Sequence, residues 1–111
     1  MAITDVNEEN FREELERAFE KKDMVILKFG SEYCNSCHAL EFELESVEEA
    51  LKNVSIFLVD TDESPELASQ YDVFELPTMV IYNDSQNIIY HKEGVMLAQD
   101  INKLINQGEL K

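Results

Sequence analysis

The sequence predicts an α/β fold, a three-layer α/β/α sandwich with a mixed central sheet. Three observations lead there. Short, nearly continuous apolar runs alternate with longer segments of helical period, in the order helix, strand, helix, strand, helix, strand, strand, helix. Strands that alternate with helices form a parallel core sheet buried on both faces, so they read as apolar runs rather than as alternations. A short polar turn, Asn83 to Asn87, separates the last two strands and has hairpin length, which adds an antiparallel edge. With 111 residues the chain is expected to form one domain over residues 1–111.

Each element has its own signal. Asp5 and Glu8 are placed as an N-cap and its reciprocal partner for the first helix. Phe11, Leu15, Ala18 and Phe19 form that helix's apolar stripe, and Lys21-Lys22 suit its C-terminal end. Met24 to Phe29 reads as a buried central strand interrupted by Lys28. Leu40, Leu44, Val47 and Leu51 give the second helix, with Glu41, Glu43, Glu45, Glu48 and Glu49 on its wet side. Ile56 to Val59 is the next buried strand. Ser64-Pro65 reads as an N-cap followed by proline at the first helical position, starting a short helix to Tyr71. Met79 to Tyr82 and Ile88 to Tyr90 are the hairpin strands. Leu97, Ile101, Leu104 and Ile105 mark the last helix, with Gly108 expected at its C-terminus.

Composition narrows the function. The chain carries 24 acidic and 9 basic residues, a net charge of −15. Phosphate would be repelled, so neither nucleic acid nor an anionic membrane is expected as a partner. The charge favours basic partner surfaces, or simply keeps the protein soluble. The N-terminal residues show neither the basic nor the apolar segment of a secretory signal, and no apolar run approaches transmembrane length. A cytoplasmic location is therefore expected, where a cysteine pair is reduced at rest.

Both cysteines of the chain lie in one motif, Cys34-Asn35-Ser36-Cys37, directly after the central strand. A loop that short restricts an unfolded chain little, so the pair points to chemistry rather than to a structural staple. A helix opening at the motif would offer unpaired N–H groups and partial positive charge, and both stabilise a thiolate. Cys34-Asn35-Ser36-Cys37-His38 also fits the haem-attachment pattern, which a strand-to-helix setting disfavours. A zinc or iron–sulfur site drawing on His38 or His91 is a second alternative. His38 adjoins Cys37, however, and His91 lies on the edge strand. No metal and no cofactor are expected.

Taken with Phe29, Glu32-Tyr33 before the motif, Asp62, Pro65, Tyr71-Asp72-Val73, Leu76-Pro77-Thr78 and Gly94, the motif resembles the thioredoxin family over nearly the whole chain. The resemblance implies a thioredoxin fold, a cis Leu76–Pro77 bond and thiol–disulfide oxidoreductase activity on protein disulfides. It implies Cys34 as nucleophile and Cys37 as resolving thiol. A substrate groove would be lined by Tyr33, Phe74, Leu76, Pro77, Thr78, Gly94 and Val95. An upstream reductase such as a thioredoxin reductase would supply electrons to a monomer. A binding or adaptor module with little turnover is the alternative use of the fold.

The sequence departs from the family's usual Trp-Cys-Gly-Pro-Cys-Lys site. Tyr33 takes the flanking aromatic position, and Asn35-Ser36 replaces Gly-Pro. Ser36 restores a backbone N–H and adds a hydroxyl, both able to donate to a Cys34 thiolate. The expected result is a more oxidising disulfide. Glu32 and Glu75 oppose that shift. His38 could tune the thiols if protonated, or simply be exposed. Lys28 stands where the family usually has a buried aspartate that relays the Cys37 proton. It is expected either to act on Cys37 or to pack its stem in the core while its ammonium snorkels out or pairs with a glutamate.

Overall fold

The computed structural model describes residues 3–109, with side chains through residue 107. Its elements are β1 (Ile3–Val6), α1 (Phe11–Glu20), β2 (Met24–Gly30), α2 (Asn35–Ala50), β3 (Val54–Asp60), α3 (Pro65–Gln70), β4 (Thr78–Tyr82), β5 (Ile88–Glu93) and α4 (Ala98–Glu109). One five-stranded sheet runs β1-β3-β2-β4-β5. β1, β3 and β2 are parallel, whereas β4 is antiparallel to β2 and β5 to β4. The sheet is thus mixed, as expected.

The central strand decides the layering. Every residue of β2 is buried. Met24 and Ile26 pack with Leu40, Leu44 and Val47 of α2 and Ile101 and Ile105 of α4. Val25, Leu27 and Phe29 face the other way, toward Phe11 and Ala18 of α1 and Leu67 of α3. Strand side chains alternate between faces, so one strand feeds two cores. On the second face Tyr71 stacks edge-on to Phe11 and shares a 2.8 Å hydroxyl–hydroxyl hydrogen bond with Tyr82. Burial and that bond push the Tyr71 phenol above its usual pKa.

Several expectations are corrected. The first described element is a strand, β1, which pairs with β3 and has no counterpart among the expected elements. Asp5 lies in that strand opposite Leu58 and caps no helix. The turn into α1 is made by two asparagines instead: Asn7 Oδ1 accepts from the Glu9 and Asn10 N–H groups, and Asn10 Oδ1 accepts from Asn7 N–H. Glu8 caps a different helix. Its carboxylate accepts from the Glu66 and Leu67 N–H groups at 2.6 and 3.3 Å, at the start of α3. Ser64 occupies the N-cap position there but makes no side-chain cap.

β4 also reverses direction earlier than the hairpin alone would require. α3 has six residues, about 9 Å of helix, whereas seven-residue β3 spans about 23 Å. The connection over residues 61–77 does not carry the chain back along the sheet: β4 starts from the end where β3 finished and runs antiparallel to β2. Gly108 lies inside α4 rather than beyond it. A helical glycine costs about 1 kcal/mol against alanine, too little to end a helix anchored by Ile101 and Ile105.

Glu8→Ala should therefore destabilise the protein by about 1 kcal/mol in a urea titration, the usual cost of losing a cap. Asp5→Ala, at an exposed strand position, should change stability by less than about half of that. Equal losses would contradict the capping role of Glu8.

Candidate active site

The topology brings three strand ends to one place. β2 ends at Gly30, β4 starts at Thr78 opposite Phe29, and β5 ends at Glu93 opposite Thr78. The loop after β2 therefore lies beside the Leu76–Pro77 bond, which is cis, and beside Gly94. The Gly94 N–H donates to the Pro77 carbonyl at 2.8 Å. Gly94 has φ +100°, a conformation that L side chains rarely adopt, so a glycine is required there. Thr78 Oγ1 donates to the Glu75 carbonyl at 2.6 Å, which fixes the turn preceding Pro77.

Cys34 stands at the N-cap of α2 and Cys37 in its first turn. They are joined as a disulfide with Cα atoms 5.2 Å apart. The Cys37 N–H donates to Cys34 Sγ at 3.2 Å, and Ser36 Oγ lies 3.5 Å from the same sulfur. The first turn of α2 holds no acidic residue. Cys34 is half-buried, whereas Cys37 is fully buried.

The other expected site residues divide. Tyr33, Phe74 and Val95 are exposed apolar side chains, at 84%, 87% and 44% of their full accessibility. Leu76 is half-buried, Pro77 and Thr78 are buried, and Gly94 is exposed. Asn35 and Ser36 are exposed on the helix start. The His38 ring does not reach back to the sulfurs. Its Nε2 donates to the Glu32 carbonyl at 3.0 Å and ties down the loop before Cys34. His91 Nε2 donates to the Tyr71 carbonyl at 2.6 Å, away from the motif. Among the described residues no group of three or more His, Cys, Asp or Glu side chains could hold a metal ion.

Lys28 is the informative departure. It is 4% exposed, and its ammonium pairs with the Glu41 carboxylate from α2. The pairing fits one of the two expected outcomes, but its partner had been placed on the wet side of the helix. An unpaired buried ammonium costs several kcal/mol, so β2 could not accommodate lysine without that carboxylate. Glu43, also assigned to the wet face, is half-buried and accepts from the Ala98 N–H at 2.9 Å, capping α4. No periodicity argument could have found either role, because each partner lies on another element.

At the end of β5, the Glu75 hydrogen bond and charge raise the Glu93 pKa. His91 partly offsets this.

Comparisons with known proteins agree with this geometry. The thioredoxin family model matches residues 2–107. A thioredoxin from Chlamydia trachomatis serovar D is 32% identical over 104 residues, covering 94% of this chain and 96% of the relative. The chain belongs to the thioredoxin family. Chloroplastic thioredoxin z superposes with a TM-score of 0.85 at 27% identity, over 100% of this chain and 97% of that one. A mutant thioredoxin from Halobacterium salinarum gives 0.80 at 26% identity, over 95% and 88%. The thioredoxin fold and the cysteine pair make this protein a thiol–disulfide oxidoreductase. No helix among the described residues is long and apolar enough to cross a membrane.

Two measurements check the site's architecture. Gly94→Ala meets no atom within 4 Å, so its cost is backbone strain alone. It should lower stability by about 1–2 kcal/mol in a denaturant titration. For Glu93 the sign follows from its raised pKa. The folded state favours the protonated form, and that contribution is present at low pH and lost as pH rises through the raised value. Glu93→Gln should therefore raise the Tm at neutral pH and leave it unchanged in acid. A uniform shift across pH would contradict the Glu75–Glu93 contact.

Proposed function

We propose that this thioredoxin-family chain exchanges disulfides with client proteins, Cys34 attacking and Cys37 resolving. The observation that supports the division of labour is the unequal exposure of the two sulfurs at one helix N-terminus. In the reduced protein, the Cys34 thiolate attacks one sulfur of a client disulfide. The other client sulfur leaves as a thiolate and takes a proton from solvent. Cys37 then loses its proton and attacks Cys34 Sγ. The mixed disulfide breaks, the second client thiol departs, and two electrons have passed to the client. An upstream reductase of the thioredoxin reductase kind would restore the dithiol.

The groove for the client chain comprises Tyr33, Phe74, Leu76, Pro77, Thr78, Gly94 and Val95 in this reading. Proline has no N–H, and the Pro77 carbonyl is taken by Gly94. Backbone pairing to an extended client segment therefore falls to Leu76, while Tyr33 and Phe74 offer apolar contact at either side. Protein acting as a monomer in the cytoplasm is the setting that fits this reading best.

The local chemistry of Cys34 sets the expected potential. Ser36 Oγ and the Cys37 N–H both approach the sulfur that becomes the thiolate. Stabilising the dithiol form makes the disulfide more oxidising. Equilibration with glutathione buffers should give a potential above about −270 mV, the usual thioredoxin value, and Ser36→Pro should lower it. A potential at or below that value would sink the Ser36 argument. With a disulfide client, Cys34→Ser should abolish turnover and Cys37→Ser should accumulate a covalent client adduct. An adduct on Cys37 in the Cys34→Ser protein would reverse the assignment.

A further inference from the structure

Resolution of the mixed disulfide requires Cys37, a fully buried thiol, to lose a proton where bulk water does not reach. This question arises only if Cys37 is the resolving thiol, as proposed above. Three features beside Cys37 bear on it. Glu41 follows Cys37 by four residues on α2, so the two side chains share one helix face. Lys28 projects from β2 toward that face, and its ammonium is held by Glu41. Gly30 lies between the ammonium and the Cys37 Cβ. A methyl group built on its Cα would sit 2.8 Å from Lys28 Nζ and 3.1 Å from Cys37 Cβ. Nζ and the Cys37 side chain are thus neighbours across a glycine that leaves the space between them open.

The pair also has an outlet. Lys28, Gly30 and Glu41 all line a surface cleft of about 440 Å³. Lys28 is buried, and Glu41 is half-buried at the cleft wall. The other titratable groups around it are Asp5 from β1, Glu32 and His38 from the motif, Asp60 and Glu63 from the β3 end, and Glu45 one turn along α2. The His38 ring is engaged by the Glu32 carbonyl, and Asp60 Oδ1 accepts from the Asp62 and Glu63 N–H groups. Glu41 is the carboxylate bonded to the ammonium beside Cys37.

The geometry points to a two-residue proton relay in which Glu41, acting through Lys28, is the acceptor for the Cys37 proton. The Lys28 ammonium passes one proton to the Glu41 carboxylate and receives the Cys37 proton in its place. Lysine is cationic before and after, Glu41 becomes neutral, and Cys37 becomes the thiolate that attacks Cys34 Sγ. The S–S bond to the client breaks, and Glu41 later releases its proton into the cleft. No external reactant is needed. Glu41 and Lys28 act on the reacting sulfur without touching the client, so they should affect the second chemical step and not the first.

The test is a single-turnover reaction of the reduced protein with dithiobis(nitrobenzoate), followed by stopped flow over a range of pH. Attack by Cys34 releases one coloured thiolate, and resolution by Cys37 releases a second. In Glu41→Gln and Lys28→Met the first release should stay within about twofold of the parent. The second should slow by about a hundredfold or more near neutral pH, the range expected for loss of a proton acceptor. It should then climb steadily with pH where the parent has levelled. A second release that is unchanged or faster in Glu41→Gln overturns the relay, whatever Lys28→Met does, because the ammonium would then act alone or not at all. Glu41→Gln leaves the buried Lys28 ammonium without its carboxylate, so if that variant does not fold, Lys28→Met, which removes the buried charge, decides by itself: a second release that is not slowed overturns the relay. Absence of the first release in the parent would instead overturn Cys34 as nucleophile, and the relay with it.

Discussion

Every residue of β2 from Met24 to Gly30 is buried, and its alternating side chains hold two apolar layers at once. A strand in that position tolerates no unsatisfied charge. Lys28 is therefore compatible with the fold only because α2 crosses the same face and presents a carboxylate at Glu41. The same strand ends at Gly30, whose missing side chain gives the lysine head and Cys37 their room. Its carbonyl is met by Thr61 N–H at 2.9 Å, which ties the start of the cysteine loop to the end of β3. The position of the redox pair is thus a consequence of how the central strand is buried and terminated.

The large negative charge is not spread without pattern. Carboxylates stabilise helix N-termini by interacting with unpaired N–H groups and the positive end of the helix dipole. α1 has Glu13 and Glu14 in its first turn. α3 has Glu66 and receives Glu8, and α4 has Asp100 and receives Glu43. α2 alone among the four helices has no acid in its first turn. There the N-cap acceptor is Cys34 Sγ. A carboxylate at that place would compete with the sulfur for the same donors and repel its thiolate. The acids that α2 does carry begin at Glu41, a full turn beyond Cys37.

Much of this could be read in the sequence, and the failures share a cause. The buried runs at Met24–Phe29, Ile56–Val59 and Met79–Tyr82 were legible because a strand covered on both faces needs no pattern beyond continuous apolarity. The helix stripe at Leu40, Leu44 and Val47 was legible from its period. β1 was missed because it is four residues long with only Val6 buried, too short for an alternation to show. Glu8, Glu41 and Glu43 were misread for a different reason. Local pattern rules treat an acid on a helix as solvated or as a cap for its own helix. These three bond to groups 58, 13 and 55 residues away. At the site, the cysteine pair was legible from the motif, and the groove residues were expected from the resemblance. The partner of Lys28 needed the fold.

Whether Cys34 is favoured as a thiolate depends on two opposing sets of neighbours, and their magnitudes decide the sign. Glu32, Glu75 and Glu93 bring negative charge to the proposed groove, but all three are exposed. At water-like dielectric a unit charge about 4 Å away contributes about 1 kcal/mol, and at physiological salt the effect decays over about 8 Å. The Glu75 contact also raises the Glu93 pKa, which lowers the charge Glu93 presents as pH falls. The favourable set acts by direct contact: a backbone N–H at 3.2 Å, a hydroxyl at 3.5 Å and a helix dipole free of first-turn acid. Hydrogen bonds to a charged group contribute about 1.5–3 kcal/mol each, and salt hardly screens them. The contact set therefore outweighs the distant one, and its advantage grows with ionic strength as the carboxylates are screened. In the proposed reading the acidic rim acts chiefly on the approach of clients, favouring those with basic surroundings, while the chemistry of Cys34 is set within one turn of α2.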